Sequence, residues 1–526
     1  MNKQFIFKII LPVLAGLSLI NISCKKYIDQ GPINSTYGAK FWTSQASVEQ
    51  ATLAMYGQLR NCLRASGSTG NDGGRHEEAS IFVNGDLVAG TFLPIDGTNL
   101  SYSLSANSDN GPFNFSYVPY GESVLQNWSR FYQLIAQCNL ILKNVPAMSS
   151  SLFESENKKN SYISEALFMR AYTYFYITRI WGDPVYVTKS YDDVDYGNIP
   201  PVARTPEAIV LDSCINDLKT AAAALTYTFG DPSKTIRANK GSLYSLLAHI
   251  YAWKHDYKNA HIACQEVIKN GGYSLEPMST YKNIWKDRMS AESIFEIAMT
   301  YNPSDPNFAD QNDWAEAKFY CFASFLKGPV VDNQTSQCWI SPKGAFIDAF
   351  LDTSIDLRYN TAYEYVPASG GDDEGYLMMK YTEFNYQKPE TKTLPYLNNN
   401  LVLFRLSDIY LLDAEALAYN GDLEGARAAL SMTEDRAGIS SYTAPTSAYD
   451  MLDEIVIERG REMTGEGSFF YDLVRTEPTQ GWLEYVGYQA DRVLSVNKGY
   501  YWPLDMGALF PQDKLLVQNP WWITHK

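Results

Sequence analysis

The chain has 526 residues, 45% hydrophobic, 19% charged and 14% aromatic, which is enough for a large core and, by length alone, for about three domains. Its formal net charge of −16 excludes a phosphate-backbone partner, because no basic patch is present to release counterions. Acidity of this size is expected to serve solubility, and tyrosine, at 38 residues, is the compositional outlier.

Lys3 and Lys8 flank an apolar run from Phe5 to Ile20, followed by Asn21-Ile22-Ser23-Cys24. As a helix this run spans about 24 Å, short of the ~30 Å hydrocarbon core. A basic start, a short apolar run and small Ser23 predict a cleaved signal over residues 1–23. Cysteine directly after the cut predicts a bacterial lipoprotein, with a covalent lipid (diacylglycerol and a palmitate-type acyl chain) on Cys24, although Asn21 stands where leucine is usual. Several acyl chains anchor a protein where one does not. Residues 24–40 then read as a tether. No later run reaches 18 apolar residues. Export would expose the remaining cysteines to oxidation. Cys138, Cys214 and Cys264 lie in helical patterns and are expected as buried thiols, while Cys321 and Cys338 flank a polar loop and are the disulfide candidates.

The region 41–526 is expected to divide into a helical scaffold (41–65, 127–271 and 406–475), loop-rich variable parts (66–126 and 273–405) and an irregular C-terminal part (476–526). Val48, Leu53, Met55, Tyr56 and Leu59 predict a first helix. Residues 66–126 are rich in Gly, Ser and Asn, the mark of a functional loop region. Its aromatic residues, including Phe82, Phe92, Tyr102 and Phe113, are expected to pack a small core of the loop's own. Helices follow at 127–145, 161–181 and 205–225, the last opened by a Thr205 cap and Pro206. Residues 240–271 carry two helical patterns split at Asp256.

Residues 406–438 repeat that hairpin. Gly421 is placed to close the first helix in a left-handed conformation, and Asp422 to cap the second. Ala248, Ala252, Asp256, Ala260 and Ala263 align with Ala414, Ala418, Asp422, Ala426 and Ala429. This is a tetratricopeptide-type repeat, with small residues where helices touch. At least three units are needed to cover one another. Between the hairpins, 292–299 reads as a strand, 302–312 and 370–375 as turns. Trp285, Trp314, Tyr320 and Trp339 stand among polar residues. A helix is expected at 451–463, then irregular chain.

An ordered series of strings carries a family resemblance: Phe41-Trp42; Glu165-Ala166-Leu167-Phe168-Met169-Arg170-Ala171-Tyr172 to Trp181-Gly182-Asp183-Pro184; Glu292 to Ile297; Arg405 to Ala416; Arg436-Ala437-Gly438; Ile457 to Glu462 with Gly465-Glu466-Gly467; Asp472 to Arg475; Trp502-Pro503-Leu504; and Gln518-Asn519-Pro520. Each is weak alone. Together and in order they resemble the SusD/RagB group of outer-membrane nutrient-uptake lipoproteins of Bacteroidetes-type bacteria. The resemblance implies a mainly α fold, a tetratricopeptide-like helical-repeat scaffold (SusD-like) with a loop-rich variable half and a few short strands. It also implies a cell-surface, non-enzymatic role: binding an oligosaccharide or, in some members, a peptide, and delivering it to a SusC-like TonB-dependent outer-membrane transporter.

Glu458, Arg459, Arg461, Glu462, Glu466, Asp472 and Arg475 form the most catalytic-looking cluster. Paired carboxylates could serve a glycosidase. Interspersed arginines lower a carboxylate's pKa, the wrong direction for a general acid, so a structural ion-pair network is expected, with Glu458 and Arg461 paired at i, i+3. His249, His255 and His261, six residues apart, share no helix face and form no metal site. The acidic stretches 191–195 and 372–374 are the only calcium candidates and fit solvated turns better. No cofactor is expected. For sugar binding, an aromatic ring stacks on a pyranose C–H face and amides or carboxylates take the hydroxyls. Trp314, Tyr320 and Trp339, with Asn312 and Asp313, have that composition. The reading is a glycan-binding outer-membrane lipoprotein, with a peptide receptor of the same fold, and then a surface glycosidase, as rivals.

Overall fold

The computed structural model describes residues 41–64, 80–94, 125–190, 200–227, 235–286, 290–299, 340–367, 375–397, 399–439, 445 and 447–525. The signal and tether, Cys24, Cys321, Cys338 and both acidic stretches lie outside them.

The described chain is mainly helical. Helix α1 is Gln45–Arg64. A short α2, Ser80–Gly85, precedes strand β1, Phe92–Pro94. Then come α3 (Ser129–Asn144), α4 (Glu156–Trp181) and α5 (Glu207–Ala221). The first predicted hairpin is α6 (Lys240–Trp253) with α7 (Tyr257–Asn270). Between the hairpins lie β2 (Ser293–Ile297), β3 (Ile340–Pro342), α8 (Gly344–Phe350), α9 (Leu357–Ala362), β4 (Tyr363–Val366), β5 (Gly375–Met378), β6 (Phe384–Lys388), β7 (Thr393–Leu397) and β8 (Leu401–Arg405). The second hairpin is α10 (Leu406–Tyr419) with α11 (Leu423–Ala437), followed by α12 (Ala448–Met463) and α13 (Phe469–Gln480). The strands make four antiparallel pairs: β1–β3, β2–β8, β4–β5 and β6–β7.

The helices stack in order, α1 on α3, α3 on α4, and so on to α7, which packs directly on α10. The two repeat hairpins are therefore neighbours although 135 residues separate α7 from α10 in the sequence. Tyr257 stacks on Tyr419 with ring centroids 4.0 Å apart, and His261 and Gln265 each bond Asp413 at 2.7 Å. The repeat extends to the caps. Asp256 accepts from the Asn259 N–H, and Asp422 from the Gly425 N–H. Gly421 has φ +85°, as its sequence position requires; His255, its counterpart, adopts the same hand at φ +57°.

Helix α4 is the centre of the molecule. From Tyr162 to Trp181 it is buried on nearly all sides, the state of a helix without a solvent face. It starts earlier than its periodicity predicts because Ser155 caps it through the Lys158 N–H. The Thr205 cap expected for α5 is not made. The Asp183 carboxylate accepts from the Glu207 N–H at 2.8 Å instead.

The variable part 66–126 is not wholly separate. Phe82 and Phe92 are buried in the main core, not in a core of their own loop. Trp285, among polar residues in the sequence, is fully buried, with the Lys380 ammonium 5.1 Å from its ring centroid. The expected irregular chain after residue 463 contains α13 and short turns of helix, and it is sewn to the end of α4. Trp502 N donates to the Ile180 carbonyl, and Asn519 Nδ2 donates to the carbonyls of Trp181 and Trp502. Cys138, Cys214 and Cys264 are buried free thiols.

Glycine contacts lock α2 to the turn after α12. A Cβ on Gly85 would lie 2.0 Å from the Gly467 carbonyl oxygen, and a Cβ on Gly467 would meet Ile81. Backbone cannot yield as a flexible side chain does. Gly85→Ala is expected to lower stability by ~1–3 kcal/mol, read as a shifted urea midpoint; an unchanged midpoint would show that the two segments are free to separate.

Candidate functional site

The carboxylate cluster is a buried ion-pair network. Arg405, Arg358 and Arg459 are fully buried, as are Glu292, Glu458 and Glu462. Arg405 spans Glu292 (2.8 Å), Glu462 (2.6 Å) and Glu466 (2.7 Å). Arg436 reaches Glu292 and Glu462, and Arg358 reaches Asp356, Glu458 and Glu462. Arg459 joins Asp408 to Asp472, and Arg475 joins Asp472 to Glu415. The expected Glu458–Arg461 pair is present at 3.4 Å but is the longest of these contacts. Burial alone would raise the Glu462 carboxyl, but Arg436, Arg405, Arg358 and Lys380 outweigh it and hold it well below the usual range. Such a carboxylate has no proton to give near neutrality and no solvent-facing substrate to give it to. The sequence marked Glu458, Glu462, Glu466 and Asp472 but not Glu292, Asp356, Asp408 or Glu415, and most of the cations were missed: Arg358, Lys380, Arg405 and Arg436 come from elsewhere in the chain. Of these, Arg405 and Arg436 carried a signal, by standing inside the family strings, and Arg358 and Lys380 carried none.

The histidines do not converge either. His249 bonds Asp408, His261 bonds Asp413, and His255 bonds Tyr257.

The proposed sugar residues Asn312, Asp313, Trp314, Tyr320 and Trp339 lie outside the described residues, so the structure does not bring them together or separate them. It does place the chain next to them. Trp339 adjoins Ile340, and Ile340 pairs with Pro94 across the β1–β3 ribbon. The stretches 95–124 and 301–339 therefore both join the described fold at one end of one ribbon. Ser341, on β3, donates its hydroxyl to the Tyr376 carbonyl at 2.7 Å and fixes the β4–β5 hairpin beside it.

That hairpin and α9 form a tyrosine cluster. Tyr376 lies between Tyr365 (5.4 Å between centroids, 62° interplanar) and Tyr359 (6.3 Å, 68°). Tyr365 is 48% exposed. A hydrogen bond with Tyr359, together with burial, pushes the Tyr376 hydroxyl up to about 12, so it remains a protonated donor. Half-exposed rings with hydroxyls at the rim can stack on a sugar face and bond its edge. No sequence motif marked these three residues: Tyr365 and Tyr376 come opposite each other only once β4 and β5 pair, and Tyr359 joins them from α9.

Comparisons with known proteins agree with the fold. Residues 356–522 match the SusD family, and residues 98–252 match a family described as starch-binding and associating with the outer membrane. A SusD-like protein of Bacteroides ovatus is 25% identical over 97% of this chain and 91% of its own. A SusD-like protein of Formosa agariphila is 23% identical over 97% and 98%. Among solved structures, a SusD homolog of Bacteroides thetaiotaomicron superposes with a TM-score of 0.72 at 24% identity, covering 91% of this chain and 98% of that one. NanU of B. fragilis gives 0.70 at 19%, covering 93% and 99%. The two family matches together span more than half of the sequence, and the SusD match includes the strings that bring Arg405, Arg436 and Glu462 to the buried network, so the chain belongs to the SusD/RagB family.

Proposed function

We propose that the protein is a glycan-binding lipoprotein of the outer membrane that captures an oligosaccharide and passes it to a partner TonB-dependent transporter, without cleaving it. The observation that carries this reading is the match of residues 98–252 to a family described as starch-binding and associating with the outer membrane. The site is assigned to Trp314, Tyr320, Trp339, Asn312 and Asp313 as ligand contacts, together with the Tyr359–Tyr365–Tyr376 cluster. The non-enzymatic role is supported by the network above, where the glycosidase-like carboxylates are buried and ion-paired. No described helix is long and apolar enough to cross a membrane, and attachment is assigned to the lipid on Cys24.

The test is an array of oligosaccharides and peptides probed with the full-length protein. Retention of at least one oligosaccharide without shorter products is the expected result. Trp314→Ala and Trp339→Ala are expected to weaken it about tenfold or more, since each removes a stacking ring. Sustained release of shorter sugars would overturn the non-enzymatic reading, and retention of peptides alone would replace glycan by peptide. A Cys24→Ala protein that stayed in the membrane fraction would remove the anchor.

A further inference from the structure

A second aromatic site lies at the Phe92–Pro342 end of the ribbon. A cavity of about 330 Å³ opens between α8, the residues just before β1, and the short helix Trp482–Tyr485 that follows α13. The size falls within the usual range for small-ligand pockets. Its floor is Phe346, Phe350 and Phe469, all buried. Its outer wall is Trp482 and Tyr485, with centroids 5.2 Å apart and planes at 81°. Trp482 in turn packs 6.0 Å from Phe350. Tyr485 is 69% exposed, a large aromatic ring left in water at the mouth of a cavity.

The closed end is made by the ribbon. Lys343, immediately after β3, donates its N–H to the carbonyl of Thr91, immediately before β1, and both residues line the cavity. The cavity thus meets the ribbon at its Phe92–Pro342 end, opposite the Pro94–Ile340 end. Its lining includes Tyr485 and Lys343, which carry a hydroxyl and an ammonium, and no lining residue is acidic. Two ring faces near a right angle, an apolar floor and hydroxyl-competent groups in the lining suit one ligand shape: a flat ring with C–H faces and a polar edge. Without a carboxylate, a cationic ligand would find no counter-charge.

We propose that this cavity is a separate subsite for one neutral or acidic pyranose unit of a bound glycan, with Trp482 and Tyr485 as its stacking walls. The inference rests on the glycan-binding reading and adds a position that the sequence did not suggest, since both residues fell in its irregular C-terminal part.

The test is calorimetric titration of the full-length protein with maltohexaose, cellohexaose, xylohexaose, mannohexaose and hexagalacturonate. The variants are Tyr485→Ala, Tyr485→Phe and Ala349→Trp, which fills the cavity from an exposed position on α8. Whichever hexasaccharide the wild type binds should bind Tyr485→Ala and Ala349→Trp about tenfold more weakly. Tyr485→Phe, which keeps the ring, should stay within about threefold of wild type. Thermal unfolding that matches wild type shows the variants folded, which the exposure of both positions favours. A wild type that binds a hexasaccharide, with both disruptive variants unchanged, overturns the subsite and leaves the function standing. A wild type that binds none of the five overturns both. Preference between the neutral sugars and hexagalacturonate identifies the charge class.

Discussion

Arg405→Ala is expected to destabilise the protein by at least ~3–5 kcal/mol, the usual consequence of removing one partner from a buried ion pair. The guanidinium is 1% exposed and is shared by Glu292, Glu462 and Glu466, with a further bond to the Glu462 carbonyl. Alanine leaves those carboxylates around a buried cavity with one cation fewer. Arg436 and Arg358 would still hold Glu462, Arg436 would hold Glu292 and Lys380 would hold Glu466, so the loss falls most heavily on Glu466, which loses two parallel bonds, and on the join between β8 and the turn after α12. Domains have a total stability of about 5–15 kcal/mol, so the variant is expected to yield little soluble protein. Arg405→Lys should be intermediate, because an ammonium cannot grip Glu466 with two parallel bonds. Urea unfolding followed by tryptophan fluorescence gives the comparison. A midpoint within error of wild type for Arg405→Ala would mean that the network contributes nothing to holding the fold.

Stability is expected to peak at about pH 5 and to fall on both sides, by an amount on the order of a few kcal/mol over three pH units. On the acid side, burial alone would raise Asp408, but His249 and Arg459 hold it far below the usual range, as the surrounding cations hold Glu462. Carboxyls with depressed folded pKa values contribute stability that is fully present above the unfolded value near 4 and is lost as the pH falls toward the folded values. On the other side the sign reverses. Burial raises Glu434 and Glu477 to about 7, and raises Asp86 to about 8 against the two N–H groups of Gly465 and Gly467 that it accepts. The native state then holds protons that the unfolded chain has released, so stability decreases between about pH 5 and pH 8. Urea midpoints from pH 3 to pH 9 test both limbs. Glu462→Gln should be less stable than wild type at pH 7 and should lose less on going from pH 5 to pH 3. A parallel acid limb in that variant would show that Glu462 does not carry the dependence.

The helical half of the fold was legible because its signals are local. Periodicity located α6, α7, α10 and α11, Asp256 and Asp422 announced their caps, and small residues marked the contact faces. What was not legible depends on contacts distant in sequence. The α5 cap comes from Asp183, the partner of β2 is β8 across 103 residues, and the cations around Glu462 come from residues 358, 380, 405 and 436. The α13 helix was masked by a glycine pair before it and by Pro478 inside it. The same limit applies to binding. Tyr365 and Tyr376 meet through strand pairing, and Trp482 joins Phe350 through tertiary packing, so neither group forms a pattern along the chain.

The buried network also has a consequence for the order in which the chain can mature. Its members are Glu292, Arg358, Arg405, Arg436 and Glu462, strung over 171 positions in which acids and bases do not arrive as pairs. A ribosome or an export channel delivers Glu292 long before Arg405 and Arg436, and Arg405 before Glu462. Until the last of them emerges, any compaction of the middle of the chain would enclose an unmatched charge, which is strongly unfavourable. The helices up to α7 lie outside that restriction and have their own short-range partners. Commitment of the remainder waits for the segment that ends at Glu466, which makes the closing third of translation the step on which chaperone protection of this protein bears.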